Sequence, residues 1–315
     1  MNTIFSSNLI FNKSYNKIFR TCIISGMCRV GKTLLGNIIS TIEKVEYSEE
    51  PWFLQIMPII QKNSNIDEKI IIEMISAYTL ELYKDTFLLR AANFRPNDLS
   101  YIGNKKTIEE INFRLNNVNR LSDVIKYGND HIFIINLAET FTAYNIIKKA
   151  INNLKLIYIT RHPYNVAEEI QKKQWFSNNE LLNPSMASPF IEYSVENTKW
   201  YLPWWVPFGY EDFFLSLSDF DRCIYYWTCM SNSSIDLVLS KDENIYHITY
   251  EDFTISPEKY FFEISEFLNI KGRNITNEKL NNIYTTPIYN GNISNIDLKE
   301  ICINTIKNLN YGYKL

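Results

Sequence analysis

Histidine is scarce in this 315-residue chain, with only His131, His162 and His247, and their scatter argues against a histidine-built metal centre. Cysteine is sparse and odd in number: Cys22, Cys28, Cys223, Cys229 and Cys302 contain no C-x-x-C pair, which excludes a disulfide framework and a zinc ribbon and fits a reducing cytoplasm. No run approaches the roughly 20 apolar residues that cross a bilayer. The opening "MNTIFSSNLIFNKSYNKIF" interrupts its apolar residues with Asn, Ser and Lys and lacks an export-signal core, so a soluble, unexported protein is expected. Charge of one sign is also missing. At a net charge of −3 there is no global attraction to nucleic acid or to an anionic membrane, and any polyanion must be met by a local basic site.

What is present is a large apolar and aromatic complement, 46% and 15% of residues, enough for the core of one α/β domain over 1–315. Ile18 to Ser25 reads as a short buried strand, and "KTLLGNIISTI" from Lys32 places Leu34, Leu35, Ile38, Ile39 and Ile42 on one helix face. The segment "KVEYSEEPW" after it is polar and ends in Pro51, so a loop carrying Glu49 and Glu50 is expected. Residues 53–90 follow a helical pattern. "HIFIINL" (131–137), "KLIYIT" (155–160) and "NIYHITYED" (244–252) are β-rich, with "AETFTAYNIIKKAINN" helical between the first two and "PEKYFFEISEFLNI" and "IDLKEICINTIKNL" helical near the end. Strands alternating with helices imply a central parallel sheet flanked by helices, P-loop-like in plan. Residues 175–227, rich in Pro and aromatics without a clean period, read as a substrate-binding or lid insert.

Between the first strand and its helix, Gly26 to Thr33 spells G-x-x-x-x-G-K-T. Such a loop aims backbone N–H groups and the positive end of a helix dipole at an anion, and Arg29, Lys32 and Thr33 add charge and a hydroxyl. The alternative is a tight turn and nothing more. A Mg-ATP kinase would need an Asp ending its second strand, yet "HIFIINLAE" reads as ending in an Asn and "KLIYITRHP" in Thr-Arg, a cation where a metal-binding carboxylate would be wanted.

The loop, "KLIYITRHPYNVAEEI" and "HITYEDFTISPEKYFFEISEFLNI" together resemble the sulfotransferase superfamily that uses 3′-phosphoadenosine 5′-phosphosulfate, in order from about Cys22 to Tyr313. The motifs lie nearest the tyrosyl-protein and carbohydrate branch. The family's R/K-x-G-T-T loop, which binds the 5′-phosphosulfate, matches Arg29, Val30, Gly31, Lys32 and Thr33, with Lys32 in place of the first Thr and Leu34 following. Its strand ending R-x-P, whose Arg grips the 3′-phosphate, matches Arg161 to Pro163, and its Y-E-D-L-x-x-x-P-E pattern matches Tyr250 to Glu258, where Tyr250 and Glu251 read as structural, the resemblance implying an adenine-side contact for this Tyr as in some members. Members place a Ser eight residues after that Arg where this chain has Glu169, and a carboxylate beside a phosphate needs a cation, which Lys172 or Lys173 would supply. Tyrosyl-protein members carry a Glu-Glu pair whose second Glu takes the acceptor's proton; Glu50, 21 residues after Arg29, matches it.

The resemblance implies sulfuryl transfer from that donor to a hydroxyl of a glycan, peptide or small metabolite, without metal, leaving the 3′,5′-bisphosphate. Glu50, Arg29 and Lys32 are then the catalytic groups, and Arg29 to Leu34, Arg161, Glu169, Lys173 and Tyr250 contact the donor. Other readings stay open: a Mg-ATP kinase, a non-catalytic relative, a solvated loop carboxylate at Glu50, a surface ion pair of Arg161 with Glu168 or Glu169, and Trp200, Trp204 and Trp205 either stacking on an acceptor or packing a lid. Phe253, Phe261, Phe262 and Phe267 are expected in the core.

Overall fold

A computed structural model describes residues 19–98, 101–185, 188–270, 283 and 285–309. The amino-terminal stretch read for export signals and the Tyr311–Tyr313 end of the family resemblance lie outside them. The described residues form seven strands: β1 (Arg20–Gly26), β2 (Val45–Glu49), β3 (Ile132–Ala138), β4 (Lys155–Thr160), β5 (Phe190–Val195), β6 (Thr198–Pro203) and β7 (Ile245–Thr249). The central sheet has the order β2-β3-β1-β4-β7, and β2 runs parallel to β3 as β4 does to β7. All seven residues of β3 are buried, as a parallel strand covered on both faces requires.

The chain divides into two compact units. One holds Gly36–Leu137 and Ala143–Lys155 with the residues up to Ile23; the other holds Ile24–Leu35, Ala138–Thr142 and the chain from Leu156 onward. In the first unit, helix Glu68–Phe87 starts at the Asp67 cap, whose carboxylate accepts the Lys69 N–H, and packs against helices Trp52–Lys62 and Tyr144–Ala150. Tyr83 seals it to the sheet, its ring 4.5 Å from Phe133 and its hydroxyl bonded to Thr21.

The expected loop after the first helix is instead strand β2, Val45 opposite Ile132 and Glu49 opposite Asn136. Its polarity misleads because it is an edge strand: Glu46 is buried, but in a closed ion-pair set with Lys106 and Arg114 rather than in solvent. The other readings hold to within a few residues at their ends, except that 53–90 divides into helices Trp52–Lys62 and Glu68–Phe87 and that the helix expected over 138–153 spans Tyr144–Ala150.

In the second unit the stretch without a clean period resolves into two parts. The β5–β6 hairpin turns at Glu196 and Asn197, both at positive φ, the backbone that a two-residue hairpin needs. The rest includes helix Asp219–Ser233, buried on almost every side between helices Pro163–Gln171 and Ile296–Asn308, which erases an amphipathic period. Trp204 and Trp205 are buried, the latter against Phe176, Phe214 and Tyr226, so these two pack the unit rather than face an acceptor. Phe253 and Phe261 join the core as expected, whereas Phe262 is exposed. All five cysteines are free thiols, and among the described residues no helix is long and apolar enough to cross a membrane.

The sheet order fixes where a ligand can sit. The chain leaves β1 toward β2 on one side and leaves β4 toward β7 on the other, so the switch point at which open parallel sheets take ligands is the carboxyl ends of β1 and β4. Gly26 and Thr160, the two ends concerned, both belong to the second unit.

Candidate active site

The loop after β1 is shaped by two glycines. A Cβ on Gly26 would lie 2.3 Å from the Ile159 carbonyl oxygen, and one on Gly31, whose φ is +96°, would lie 2.4 Å from the Tyr250 ring. No other residue lets the backbone pass so close. Arg29 between them takes the left-handed conformation, φ 66°. Helix Lys32–Ile39 follows at once, so its free N–H groups and dipole point into the turn. Val30 is buried, Thr33 is exposed and Leu34 half-buried. Lys32, only 5% exposed, folds back across the loop, and its Nζ donates to the Met27 carbonyl at 2.8 Å.

Arg161 is held at the tip of β4 from both sides. Its carbonyl accepts the Trp227 indole N–H at 2.9 Å, and the next N–H, of His162, donates to Glu251 at 2.9 Å. The guanidinium reaches over the loop: Nη1 donates to the Arg29 carbonyl at 2.9 Å, Nη2 to Thr286 Oγ1 at 3.1 Å, and its centre lies 4.5 Å from the Tyr250 ring centroid. This side chain is buried, which rules out the surface ion pair with Glu168 or Glu169. Its Nε is buried with no hydrogen-bond partner among the described residues, a donor still to be satisfied. Tyr250 therefore lies between Gly31 and Arg161.

Glu169 is neutralised, but chiefly by a residue of the loop itself. Arg29 Nη2 is 2.9 Å from its Oε2, and Lys172, also 2.8 Å from Glu168, adds a contact at 3.4 Å. The Arg29 hydrogen bond first, then Lys172, holds the Glu169 carboxyl below the usual carboxylate range. Lys173 is exposed and makes no ion pair among the described residues, so Lys172 is the helix lysine that meets Glu169.

Sequence reasoning misses Glu139, because it ends the strand at 137 and takes Asn136 as the polar residue near its tip. β3 runs on to Ala138, and Glu139 is the residue at its tip, at φ 60° and 9% exposed. Tyr226 donates its hydroxyl to Oε1 at 2.6 Å and accepts the Cys28 N–H at 3.0 Å. Burial raises the Glu139 pKa; the Tyr226 hydrogen bond, the Lys32 charge and a Trp204 hydrogen bond oppose it. A carboxylate directly after an apolar strand was the available signal.

Gly31, Arg29, Lys32, Arg161, Glu169 and Tyr250 thus share the second unit, whereas Glu50 belongs to the first. Glu50 follows β2 at φ 45°, exposed, with its N–H donated to the Asn136 carbonyl at 3.0 Å. One trio in the first unit, Glu46, Glu110 and His131, has the spacing to hold an ion, but Lys106 and Arg114 already take its carboxylate oxygens.

No family model and no curated relative matches the chain. Among solved structures it is similar to the sulfotransferase domain from the curacin biosynthetic pathway, at 13% identity and a TM-score of 0.49, over 94% of this chain and 99% of that one. It is similar to the sulfotransferase domain of the Synechococcus PCC 7002 olefin synthase at 14% identity and a TM-score of 0.47, over 94% and 96%. A mouse sulfotransferase, SULT7A1, solved in complex with PAP, matches at 13% identity and a TM-score of 0.34, over 96% and 71%.

Proposed function

We propose that the second unit binds 3′-phosphoadenosine 5′-phosphosulfate and that the protein passes its sulfuryl group to a hydroxyl acceptor. Arg161 carries this reading. A buried guanidinium with an unsatisfied Nε, tied to the carbonyl of the anion loop, is an anion site built from two strand ends at the sheet's switch point. The donor supplies the sulfuryl group and a phosphate leaving group.

Arg161 is assigned to the 3′-phosphate. Arg29, Lys32 and the N–H groups from Gly31 to Leu34 are assigned to the phosphosulfate, where they stabilise charge growing on the leaving phosphate oxygen. Tyr250 is assigned to the adenine side. Lys32 must turn from the Met27 carbonyl and Arg29 from its ion pair with Glu169 to do this, contacts that a phosphate oxygen can replace. Glu50 is assigned as general base: as the acceptor oxygen bonds to sulfur and the sulfur–phosphate oxygen bond breaks, the acceptor's proton goes to its carboxylate and the electron pair stays on phosphate. These groups supply the positive charge of the reaction from side chains and backbone.

Glu139 favours a second reading, a Mg-ATP kinase, because it sets a carboxylate at the end of β3 beside Lys32. Its Oε1, however, already accepts the Tyr226 hydroxyl at 2.6 Å. Calorimetry in EDTA separates the two. Micromolar binding of adenosine 3′,5′-bisphosphate supports sulfuryl transfer, and Mg²⁺-dependent ATP binding with none of the bisphosphate overturns it.

A further inference from the structure

The first unit contains a cavity of about 510 Å³, within the range of small-molecule sites. It runs from the end of β2 to helix Glu68–Phe87, and Tyr47, Glu49, Tyr78, Leu82, Leu89 and Lys105 contribute to its wall. All of its lining residues belong to this unit.

The charges in the wall sort into matched and unmatched. Glu46 is 2% and Arg114 1% exposed, and with Lys106 and Glu110 they form a set of two carboxylates and two cations. That set is electrically closed. Lys105 is outside it: half-buried, it makes no ion pair among the described residues, and its Nζ rests 4.6 Å from the centroid of the Tyr47 ring. Burial lowers the Lys105 pKa, with the Glu49 charge opposing, so the ammonium is held partly out of water with a ring face for company. Outside that set the wall holds one cation, Lys105, and one carboxylate, Glu49, so a monoanion such as a carboxylate on Lys105 brings less excess negative charge into the half-dry site than a phosphate dianion would. The wall also holds Leu82, Leu89, Ala91 and Ala92, and, from the end of β2, Glu49, the neighbour of Glu50.

We propose that this cavity binds a small organic carboxylate with a flat or alicyclic body, its anionic group on Lys105 and its body between Tyr78 and the leucines. Resting on the sulfuryl-transfer reading, the ligand is the acceptor, with its hydroxyl at the β2 end by Glu49 and Glu50. The acceptor class is then a hydroxy acid rather than a neutral alcohol or an amine.

The test uses 4-hydroxyphenylacetate, neutral 4-methylphenol and cationic tyramine as probes, with binding followed by calorimetry on the full chain. The acid should bind roughly tenfold or more tightly than the neutral phenol, as expected for one charge-assisted contact. Lys105→Gln should abolish that preference and Lys105→Arg should restore most of it, with unchanged melting temperature and unchanged bisphosphate affinity. Equal binding of acid and neutral phenol, or a preference indifferent to Lys105, overturns the proposal. Lys105-dependent binding of the acid by a protein that ignores the bisphosphate would keep the cavity assignment and remove the sulfuryl-transfer reading, so the two fail separately.

Discussion

Tyr226 places its hydroxyl 2.6 Å from Glu139 Oε1 while accepting the Cys28 N–H at 3.0 Å, so one phenol ties the tip of β3 to the anion loop. Tyr226→Phe keeps the ring packing and removes both bonds, leaving a buried carboxylate and a loop N–H without this partner. Chemical denaturation should show a loss of about 1–3 kcal/mol. Bisphosphate binding should weaken as well, because the loop loses its brace. Unchanged stability would mean that the network contributes nothing.

Arg29 is held away from any phosphate by Glu169. Glu169→Gln removes the competitor, so bisphosphate affinity should rise several-fold, and Arg29→Ala should cancel the gain. A weaker affinity in Glu169→Gln would show that the carboxylate helps the donor bind.

His247 bonds Thr160 at the end of β4, next to Arg161, and burial pushes its pKa down to about 4. Unfolded, the imidazole titrates near 6.5. Between those values the unfolded chain carries the proton and the native one does not, so this contribution to stability is complete above pH 6.5 and is lost as pH falls toward 4. Urea midpoints at pH 7, 5.5 and 4.5 should fall by an amount equivalent to up to about 3 kcal/mol for this group. His247→Gln should flatten that part of the profile.

Glu50→Gln should lower turnover on any accepted hydroxyl by about 10²- to 10⁴-fold with bisphosphate affinity unchanged, the signature of a lost general base. Lys32→Met should instead weaken both. If Glu50→Gln turns over normally, the proton goes elsewhere.

Trp227 is fully buried and donates to the Arg161 carbonyl. Trp227→Phe keeps most of the packing, and should cost about 1–3 kcal/mol while loosening bisphosphate binding. Equal affinity would show that Arg161 does not depend on this brace.

The parts of the site that could be read from the sequence are those written locally. A glycine turn between an apolar strand and an amphipathic helix, and an Arg directly after an apolar strand, announce themselves within a dozen residues, and the structure joins them through Arg161 and the Arg29 carbonyl. What escaped depends on partners far along the chain. β2 is a strand because β3 lies beside it, and its Glu46 is buried because Arg114 and Lys106 neutralise it. Helix Asp219–Ser233 hides its period by being buried all round, and neither its Trp227 bond to Arg161 nor its Tyr226 bond to Glu139 leaves a mark in local spacing. The Arg29–Glu169 pair spans 140 positions and shows in sequence only as a carboxylate out of place.

The central claim is that Arg161 reads the 3′-phosphate of the donor. Calorimetry with adenosine 3′,5′-bisphosphate and with adenosine 5′-monophosphate, in EDTA, on the native chain and on Arg161→Ala tests it most directly. The native protein should prefer the bisphosphate by roughly a hundredfold, and Arg161→Ala should bring the two ligands to within a few-fold of each other. Equal affinities in the native protein, or a preference that survives Arg161→Ala, would contradict it.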